Sequence, residues 1–305
     1  MNNISAIIVV QNNPSHLKET LDSIEDFVSE IIIADIGIDK ETLNFLDSFK
    51  KVKVIKIEKS VPYVELIREE LKQKTKGEYI LFIDPDEVIP QDLKNLILKN
   101  LSDYDYFSIP RKNIIFSKWI KNSRWWPDYQ VRFFKKNKVI WPTKIHQQPK
   151  VEGIGLIIEP QENIAIIHYN YLNLDEYIEK SRRYAKAEAS EFIKDNKEFT
   201  LAETIKKSLS EFVSRFFANK GYEDGMHGFV LSILQMFYYF LVYFYYWEQK
   251  KYFEVKENEI LYNSQNLFQQ GFYEINHWID KRISKNWINR IKGKLRNFLI
   301  KTILK

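Results

Sequence analysis

The stretch that most constrains the fold is a short apolar run that ends abruptly in acidic residues. Residues 79–83 are all apolar or aromatic, and the chain continues with Asp84, Pro85, Asp86 and Glu87. An apolar run bounded in this way is typical of a strand that is buried on both faces of a parallel sheet. Pro85 cannot donate a backbone hydrogen bond, so the strand should end there. The acidic residues are therefore expected at the carboxyl end of a central strand.

Strand and helix patterns alternate around this stretch. Further strands are predicted at residues 4–10, 30–34 and 52–57, and helices at 42–49, 63–75 and 90–101. This rhythm predicts an α/β fold with a doubly wound, mostly parallel, Rossmann-like sheet and right-handed crossovers. Shorter strands follow from Tyr104, and the chain is almost wholly helical from Leu174. We expect a catalytic domain at residues 1–172 and a helical region at residues 173–305.

The composition excludes several kinds of site. The chain contains no cysteine, so it has no disulfide framework, thiolate metal site or cysteine nucleophile. The glycine-rich signatures of dinucleotide and P-loop sites are also missing. We expect no signal peptide, because the first apolar run is short and has no basic residues before it. A phosphate ligand at the strand ends would therefore depend on a bound metal.

Carboxylates at neighbouring strand ends predict such a metal site. Asp35 follows the second predicted strand, while Asp84 and Asp86 follow the central one. The carboxyl ends of parallel strands meet at one edge of a sheet, where ligands bind. An Asp-x-Asp pair offers the oxygen ligands that Mg²⁺ or Mn²⁺ prefers, and the cation would in turn hold phosphate oxygens. The alternative reading is a solvated turn before a helix.

Other residues suggest how a substrate would be held. Gln130 and Arg132 are two residues apart on a predicted strand and should share a face. Arg132 could bind a phosphate through two hydrogen bonds, or it could form an ordinary ion pair. Trp125 and Trp126 lie in a loop rich in tryptophan, and indole faces stack well on sugar rings. These two residues could therefore stack on a sugar ring.

If this edge of the sheet transfers a group to a hydroxyl, the reaction needs a base within hydrogen-bond reach of that hydroxyl. Asp128, in the same tryptophan-rich loop, is the first choice, and Glu87 is the second. A turn residue after Pro127 is the alternative reading of Asp128.

The ordered set of motifs resembles family 2 glycosyltransferases of the GT-A fold. The similarity is greatest to the bacterial branch that builds lipopolysaccharide core and related surface glycans. The blocks that carry it are ISAIIVVQNN, EIIIADIG, DPDE, PDYQVRFF, KIHQ, DGMHGF and YYWE. The resemblance implies a metal-dependent, inverting transfer from a nucleotide-sugar, with a UDP-sugar as the first expectation. It implies a lipid-linked or lipopolysaccharide-type glycan as the acceptor, and we expect Trp125 and Trp126 to bind the acceptor sugar.

The resemblance also implies roles for single residues. Asn12, in the turn after the first strand, and Asp35 would contact the donor, with Asp35 on its uridine part. Arg68 would reach the donor diphosphate, and His146 would be a further metal or diphosphate ligand. The chain departs from the family pattern at Val10, Asn13, Glu69 and Gln147. The last change matters most, because a glutamate that often follows the histidine could be the base in relatives.

Two segments bear on membrane binding. Residues 228–247 contain no charged residue, but Ser232, Gln235 and Tyr239 recur on one helical face, so we predict a buried or interfacial helix rather than a span. After Asp280 the chain has nine basic residues and no acidic one. This basic, amphipathic segment predicts binding to an anionic membrane surface. We expect a cytoplasmic protein held on the inner face of the membrane, and no nucleic-acid partner.

Three functions stay open at this point. The first is the membrane-associated glycosyltransferase just described. The second is a transferase of the same fold that acts on a protein or a soluble acceptor. The third is a non-catalytic, sugar-binding scaffold, which the departures at Val10, Asn13 and Gln147 leave possible.

Overall fold

Strands and helices alternate in the computed structural model, which describes residues 3–58, 61, 63–142 and 148–283. The strands are β1 (Ile4–Asn12), β2 (Glu30–Ile38), β3 (Val52–Lys56), β4 (Tyr79–Phe82), β5 (Glu87–Val88), β6 (Tyr106–Ile115), β7 (Lys118–Trp119), β8 (Asp128–Lys135), β9 (Val139–Ile140), β10 (Lys150–Val151), β11 (Gly155–Ile157) and β12 (Ile166–Tyr171). The helices are α1 (Leu17–Ile24), α2 (Lys40–Leu46), α3 (Glu65–Gln73), α4 (Gln91–Lys99), α5 (Leu174–Lys194), α6 (Leu201–Phe212), α7 (Met226–Gln249) and α8 (Glu257–Ile283). A π-helical segment, Val213–Ala218, follows α6, and 3-10 turns cover Glu162–Ile164 and Gly221–Asp224.

The main sheet has the strand order β3-β2-β1-β4-β8-β6-β12-β5. Strands β3, β2, β1 and β4 run parallel to one another, whereas β8 runs antiparallel to both β4 and β6. Strand β12 returns parallel to β6 and pairs with the short β5. The sheet is mixed but mostly parallel, and a run of helices follows its last strand in the chain. This arrangement confirms the predicted GT-A-like α/β class.

Strand β4 is buried on both faces, as its apolar run predicts. Tyr79 and Leu81 join one hydrophobic cluster, and Ile80 and Phe82 join another. Successive side chains of a strand point to opposite faces, so a strand between two cores needs apolar residues at every position. The same alternation places the carboxylates that follow β4 at the carboxyl edge of the sheet.

The contacts divide the chain into two units. The first unit comprises Met1–Lys121 and Trp125–Glu176, and the second comprises Asn122–Arg124 and Tyr177–Lys305. Within the second unit, Asp224 accepts a hydrogen bond from the backbone of Asn122. A side chain at Gly228 would lie 1.8 Å from the carbonyl oxygen of Gly221, so the start of α7 packs closely on the preceding turn.

Helix α7 is the one helix within the described ranges that is long and apolar enough to cross a membrane, judged by length and composition. Its 24 residues have no acidic residue in the first turn and no basic residue in the last turn. The contacts that it makes within the second unit are considered below.

Candidate active site at the carboxyl edge of the sheet

Glu87 anchors the acidic turn that follows β4. Its side chain is fully buried. One carboxylate oxygen accepts hydrogen bonds from Arg111 at 3.0 Å and Arg132 at 2.8 Å, and the other accepts from the backbone N–H of Asp84 at 2.9 Å. Glu87 also pairs with His168 in the ladder between β5 and β12. These contacts favour a positioning role for Glu87 over its second-choice role as the base.

Arg132 is buried beside this turn and also donates a hydrogen bond to Asp84. Burial alone would lower the pKa of Arg132, but Asp84 and Glu87 outweigh it and raise the pKa above its ordinary value. The ladder between β6 and β8 shifts its register between Phe133 and Val131, so Arg132 sits in a β-bulge. Its role as a phosphate ligand stays a prediction.

Asp128 lies where β8 begins, opposite Arg111 of β6. One carboxylate oxygen, Oδ2, accepts hydrogen bonds from Arg111 Nε and Nη2 at 2.9 and 2.5 Å. The other oxygen, Oδ1, accepts one from Gln130 at 2.9 Å. Burial would raise the pKa of Asp128, but the charge of Arg111 and the hydrogen bonds from Asn113, Arg111 and Gln130 lower it below its ordinary value. Asp128 is therefore ionised and keeps acceptor capacity on Oδ1.

Asn113 connects Asp128 to His168. Its amide N–H groups donate to the carbonyl oxygen of Trp125 at 2.9 Å and to Asp128 Oδ2 at 3.1 Å. Neither of these atoms can donate, so the amide oxygen of Asn113 must face Nδ1 of His168, 2.6 Å away. Nδ1 therefore carries the proton, and in the neutral ring Nε2 carries the lone pair. Nε2 lies 3.7 Å from Oδ1 of Asp86.

The geometry around Asp86 suits a cation. A nitrogen lone pair and a carboxylate oxygen at 3.7 Å are both electron-pair donors of the kind that bind Mn²⁺ or Mg²⁺. Within the described ranges, no group of three or more histidine, cysteine or acidic side chains is arranged to hold a metal by itself. His146, the other predicted ligand, lies outside the described residues. The pair of Asp86 and His168 would thus share a cation with substrate oxygens or water.

Asp35 lines a separate cleft at the same edge of the sheet. The prediction that the second strand ends at Ala34 is wrong, because β2 continues to Ile38. Oδ1 of Asp35 accepts hydrogen bonds from the backbone N–H groups of Gly37 and Ile38 at 2.8 and 2.7 Å, which stabilises the strand where its register with β1 shifts. The cleft has a volume of about 690 Å³ and is lined by Asp35, Ile36, Gly37, Ile38, Leu43, Lys56, Ile57 and Glu58.

Two further predicted donor residues also belong to the first unit. Arg68 on α3 stacks over the ring of Trp141 at 4.4 Å and near that of Phe82 at 5.9 Å. Burial and the charge of Arg132 lower the pKa of Arg68, against the opposing effect of nearby acids. Asn12 ends β1 with a left-handed backbone, φ 54°, and is exposed.

The tryptophan-rich loop forms an aromatic and cationic surface. Trp126 meets Trp119 edge to face, with ring centroids 5.2 Å apart. The ring of Trp119 in turn lies 4.7 Å from the ammonium group of Lys112 and 4.1 Å from that of Lys121. Trp125 is held through its carbonyl by Asn113. Binding of an acceptor by Trp125 and Trp126 stays a prediction.

Sequence reasoning did not find Arg111, Asn113 or His168. A usable pattern was present, because Arg111 and Asn113 interrupt the apolar strand β6 at the alternate positions of one face. His168 lies in β12, which otherwise contains isoleucine, tyrosine and one asparagine. Polar residues inside a buried strand are commonly paired, and here they pair with one another.

The parallel sheet, its antiparallel continuation and the acidic turn after β4 define an α/β protein of the GT-A class. Residues 5–150 match the model of glycosyl transferase family 2. The chain is 21% identical over 252 residues to the uncharacterized glycosyltransferase RT0209 of Rickettsia typhi, which covers 78% of this chain and 84% of the relative. It is 26% identical over 171 residues to the prophage-derived glycosyltransferase SunS of Bacillus subtilis, covering 55% of this chain and 40% of SunS.

These findings support the resemblance to family 2 glycosyltransferases that the motifs predicted. Among solved structures, TarS 1–349 of S. aureus in complex with UDP matches with a TM-score of 0.42 and 15% identity, covering 92% of this chain and 83% of TarS 1–349. The assignment to the surface-glycan branch stays a prediction.

Proposed function

We propose that this glycosyltransferase is metal-dependent and inverting, and that it moves a sugar from a nucleotide-sugar to a lipid-linked or lipopolysaccharide-type glycan at the cytoplasmic face of a membrane. The observation that carries this proposal is the joint placement of two groups. One is the pair Asp86–His168, suited to a cation, and the other is Asp128, an ionised carboxylate. Asn113 contacts both Asp128 and His168.

The donor would lie along the carboxyl edge of the sheet. Strands β2 and β4 flank β1, so the main chains of Asp35 and of the acidic turn are two strand spacings, about 10 Å, apart. The cleft at Asp35 would accept the nucleoside, with a UDP-sugar as the first candidate. Asn12, Arg68, Gln130 and Arg132 remain candidate donor contacts. The opening beside Asp35 has polar and apolar walls, which suits a ribose and a base.

A divalent cation would be held by Asp86 and His168, with Asp84 beside them and His146 as a further candidate. When bound, it would neutralise the charge that develops on the leaving diphosphate. The chain's own residues fit that task. The carboxylates at the site outnumber the guanidinium groups, even when Arg68 is counted. The carboxylates are those of Asp84, Asp86, Glu87 and Asp128, and the guanidinium groups are those of Arg68, Arg111 and Arg132.

Asp128 is our candidate for the base. Its Oδ1 accepts only one protein hydrogen bond among the described residues, from Gln130, so it can take a second from an acceptor hydroxyl. The oxygen of the acceptor hydroxyl attacks the anomeric carbon of the donor sugar, and the bond from that carbon to the diphosphate breaks. The proton of the hydroxyl passes to Oδ1 of Asp128 in the same step. A single displacement of this kind inverts the anomeric centre. Arg111 fixes the carboxylate through Oδ2, which keeps Oδ1 oriented.

The acceptor assignment depends on the aromatic loop and on the basic segment. Trp125, Trp126 and Trp119 offer indole surfaces on which sugar rings could stack, and Lys112 and Lys121 would attract phosphates of a lipid-linked glycan. The basic residues after Asp280 favour an anionic membrane surface as the place of reaction.

The test is a panel of UDP-, GDP- and CMP-sugars in thermal melts, each with Mn²⁺, with Mg²⁺ and with EDTA. A ligand at a hundred times its dissociation constant adds about 2.7 kcal/mol to the stability of the protein, which a melt resolves. We expect stabilisation by UDP-sugars that requires the cation and is lost in Asp86→Asn. Asp35→Asn should weaken nucleoside binding both with the cation and with EDTA. Stabilisation by ADP or dinucleotides alone would show the donor assignment to be wrong, and stabilisation unchanged by EDTA would refute the metal.

A further inference from the structure

Helix α7 of the second unit turns an apolar stripe outward. The α7 stripe consists of residues spaced by three or four along the helix: Met226, Phe229, Ile233, Phe237, Phe240, Phe244 and Trp247. Met226 is 73% exposed, and Phe229, Phe237, Phe244 and Trp247 are between 38% and 47% exposed. At 1.5 Å per residue the stripe is about 32 Å long. A continuous apolar surface of this size is unusual on a soluble monomer and indicates a binding partner.

The opposite side of α7 carries the polar contacts. The hydroxyl of Tyr238 donates to Glu188 at 2.7 Å, and the ring of Tyr239 lies 4.3 Å from the ammonium group of Lys207. The hydroxyl of Ser232 donates to the carbonyl of Gly228. The helix therefore packs Leu231, Val242 and its buried tyrosines within the second unit, where charged residues of α5 and α6 contact two of the tyrosines of α7. Its most exposed apolar residues lie on the other side.

We propose that the α7 stripe lies in the interfacial layer of a bilayer that contains anionic lipids, with the helix axis parallel to the membrane plane. The polar side explains why α7 does not span, although its length would allow it. A span would carry Glu188 and Lys207 into the hydrocarbon region, where charged groups are strongly disfavoured. Phenylalanine and tryptophan suit the interface. This inference extends the proposed membrane association to a described surface and does not depend on the transfer reaction.

The basic residues near the end of the stripe and at the end of the sequence favour a bilayer over a second copy of the chain. The exposed Glu248 follows Trp247 directly, and the exposed Lys250 and Lys251 come two residues later. Lys281 is exposed as well, and the sequence after it is basic without any acidic residue. Pairing two copies through this region would add like charges, whereas anionic headgroups neutralise them. The surface therefore combines an apolar stripe with flanking cations, as interfacial helices do.

The first experiment is flotation of the full chain with vesicles of phosphatidylcholine and phosphatidylglycerol in a 7:3 ratio. We expect the double variant Phe237→Gln/Phe244→Gln to bind vesicles at least about tenfold more weakly than the wild type. The double variant Phe237→Leu/Phe244→Leu should retain binding, because the stripe stays apolar. A matched control replaces two exposed isoleucines of the first unit, Ile154→Gln/Ile157→Gln, and should float as the wild type does.

The second experiment measures orientation. The chain has no cysteine, so Phe229→Cys and Phe244→Cys each give a single site for an environment-sensitive fluorophore. The two positions are about 22 Å apart along the axis. For a helix in the membrane plane both labels shift to the blue with vesicles and are quenched at the same depth. A label at Glu19→Cys, in the first unit, should not respond.

Three outcomes would overturn the inference. Wild-type flotation of the Gln double variant would show that the stripe is not the contact. Depths that differ by the full separation of the two labels would show a spanning helix. A wild-type dimer in sedimentation that the Gln variant dissociates, with no vesicle binding by either, would assign the stripe to a second copy. Neutralising the basic residues after Asp280 separates the contribution of charge from that of the apolar stripe. This change should reduce the dependence of binding on phosphatidylglycerol and leave the blue shift at saturating lipid intact.

Discussion

Replacing Glu87 with glutamine separates the two roles that this residue could have. The sequence makes Glu87 the second candidate for the base, and a base that loses its carboxylate loses turnover while the fold stays intact. The structure places Glu87 under two guanidinium groups and one backbone N–H. Glutamine keeps the shape of the side chain but puts an N–H group against one of these donors. We therefore expect Glu87→Gln to lower stability as well as turnover.

The size of the effect follows from the contacts. Removing one partner of a buried ion pair costs about 3–5 kcal/mol, because the remaining charge stays buried. Here Arg111 keeps Asp128 and Arg132 keeps Asp84, so we expect the lower end, about 3 kcal/mol. Folded proteins are stable by about 5–15 kcal/mol in total, so this is a substantial fraction. At an m value of about 3 kcal/mol/M the urea midpoint would fall by about 1 M.

The assay is urea unfolding followed in parallel by fluorescence and circular dichroism, together with transfer kinetics. Glu179→Gln is the matched control, because Glu179 pairs with Arg182 at an exposed site and its loss should leave the midpoint unchanged. Asp128→Asn provides the comparison for a base. A Glu87→Gln protein with wild-type stability and no turnover would refute the positioning role and return Glu87 to catalysis.

Three further predictions follow from the same contacts. Asn113→Leu removes the group that fixes the His168 tautomer and should weaken Mn²⁺ binding by about ten- to a hundredfold in calorimetry; unchanged affinity would contradict the fit of that pair to a metal. Because the folded pKa of Asp128 is lowered, its stabilisation is present above the ordinary value of 3.8 and is lost as the pH falls through the folded pKa, so the melting temperatures of wild type and Asp128→Asn should converge in acid; a constant gap would contradict this. Gly228→Ala should destabilise the protein by about 2–3 kcal/mol, whereas Gly271→Ala, which meets only a leucine methyl at 3.3 Å, should be nearly neutral in the same melts.

Local patterns predicted the elements that depend on burial alone. The apolar run before Asp84 became β4, and the alternating strands and helices became the parallel part of the sheet. These assignments need only the rule that a strand covered on both faces is apolar throughout. The same rule misjudged the end of β2, because Asp35 bonds to the backbone of Gly37 and Ile38 and lets the strand continue. A local hydrogen bond of that kind leaves no periodic pattern.

The contacts of the site could not be predicted from local sequence patterns, because they join strands that are distant in sequence. Glu87 meets Arg111 and Arg132 only after β8 and β6 have paired antiparallel beside β4. Asn113 reaches His168 only because β12 returns parallel to β6. A one-residue slip in either ladder would turn these side chains to the other face of the sheet. Strand register, which a single sequence does not display, therefore decides which polar residues form the site.

The β-bulge at Arg132 is a place where strand register decides the direction of a side chain of the site. In a regular strand Val131 and Phe133 would share a face, but Val131 packs with Phe134 in one core and Phe133 packs in the other. The register shift between Val131 and Phe133 makes this possible, because it leaves Arg132 out of the ladder. The bulged residue is thereby aimed at Asp84 and Glu87 instead of alternating with its neighbours. Two adjacent aromatic residues thus fill two cores, while the arginine before them closes the acidic turn on which the proposed cation site depends.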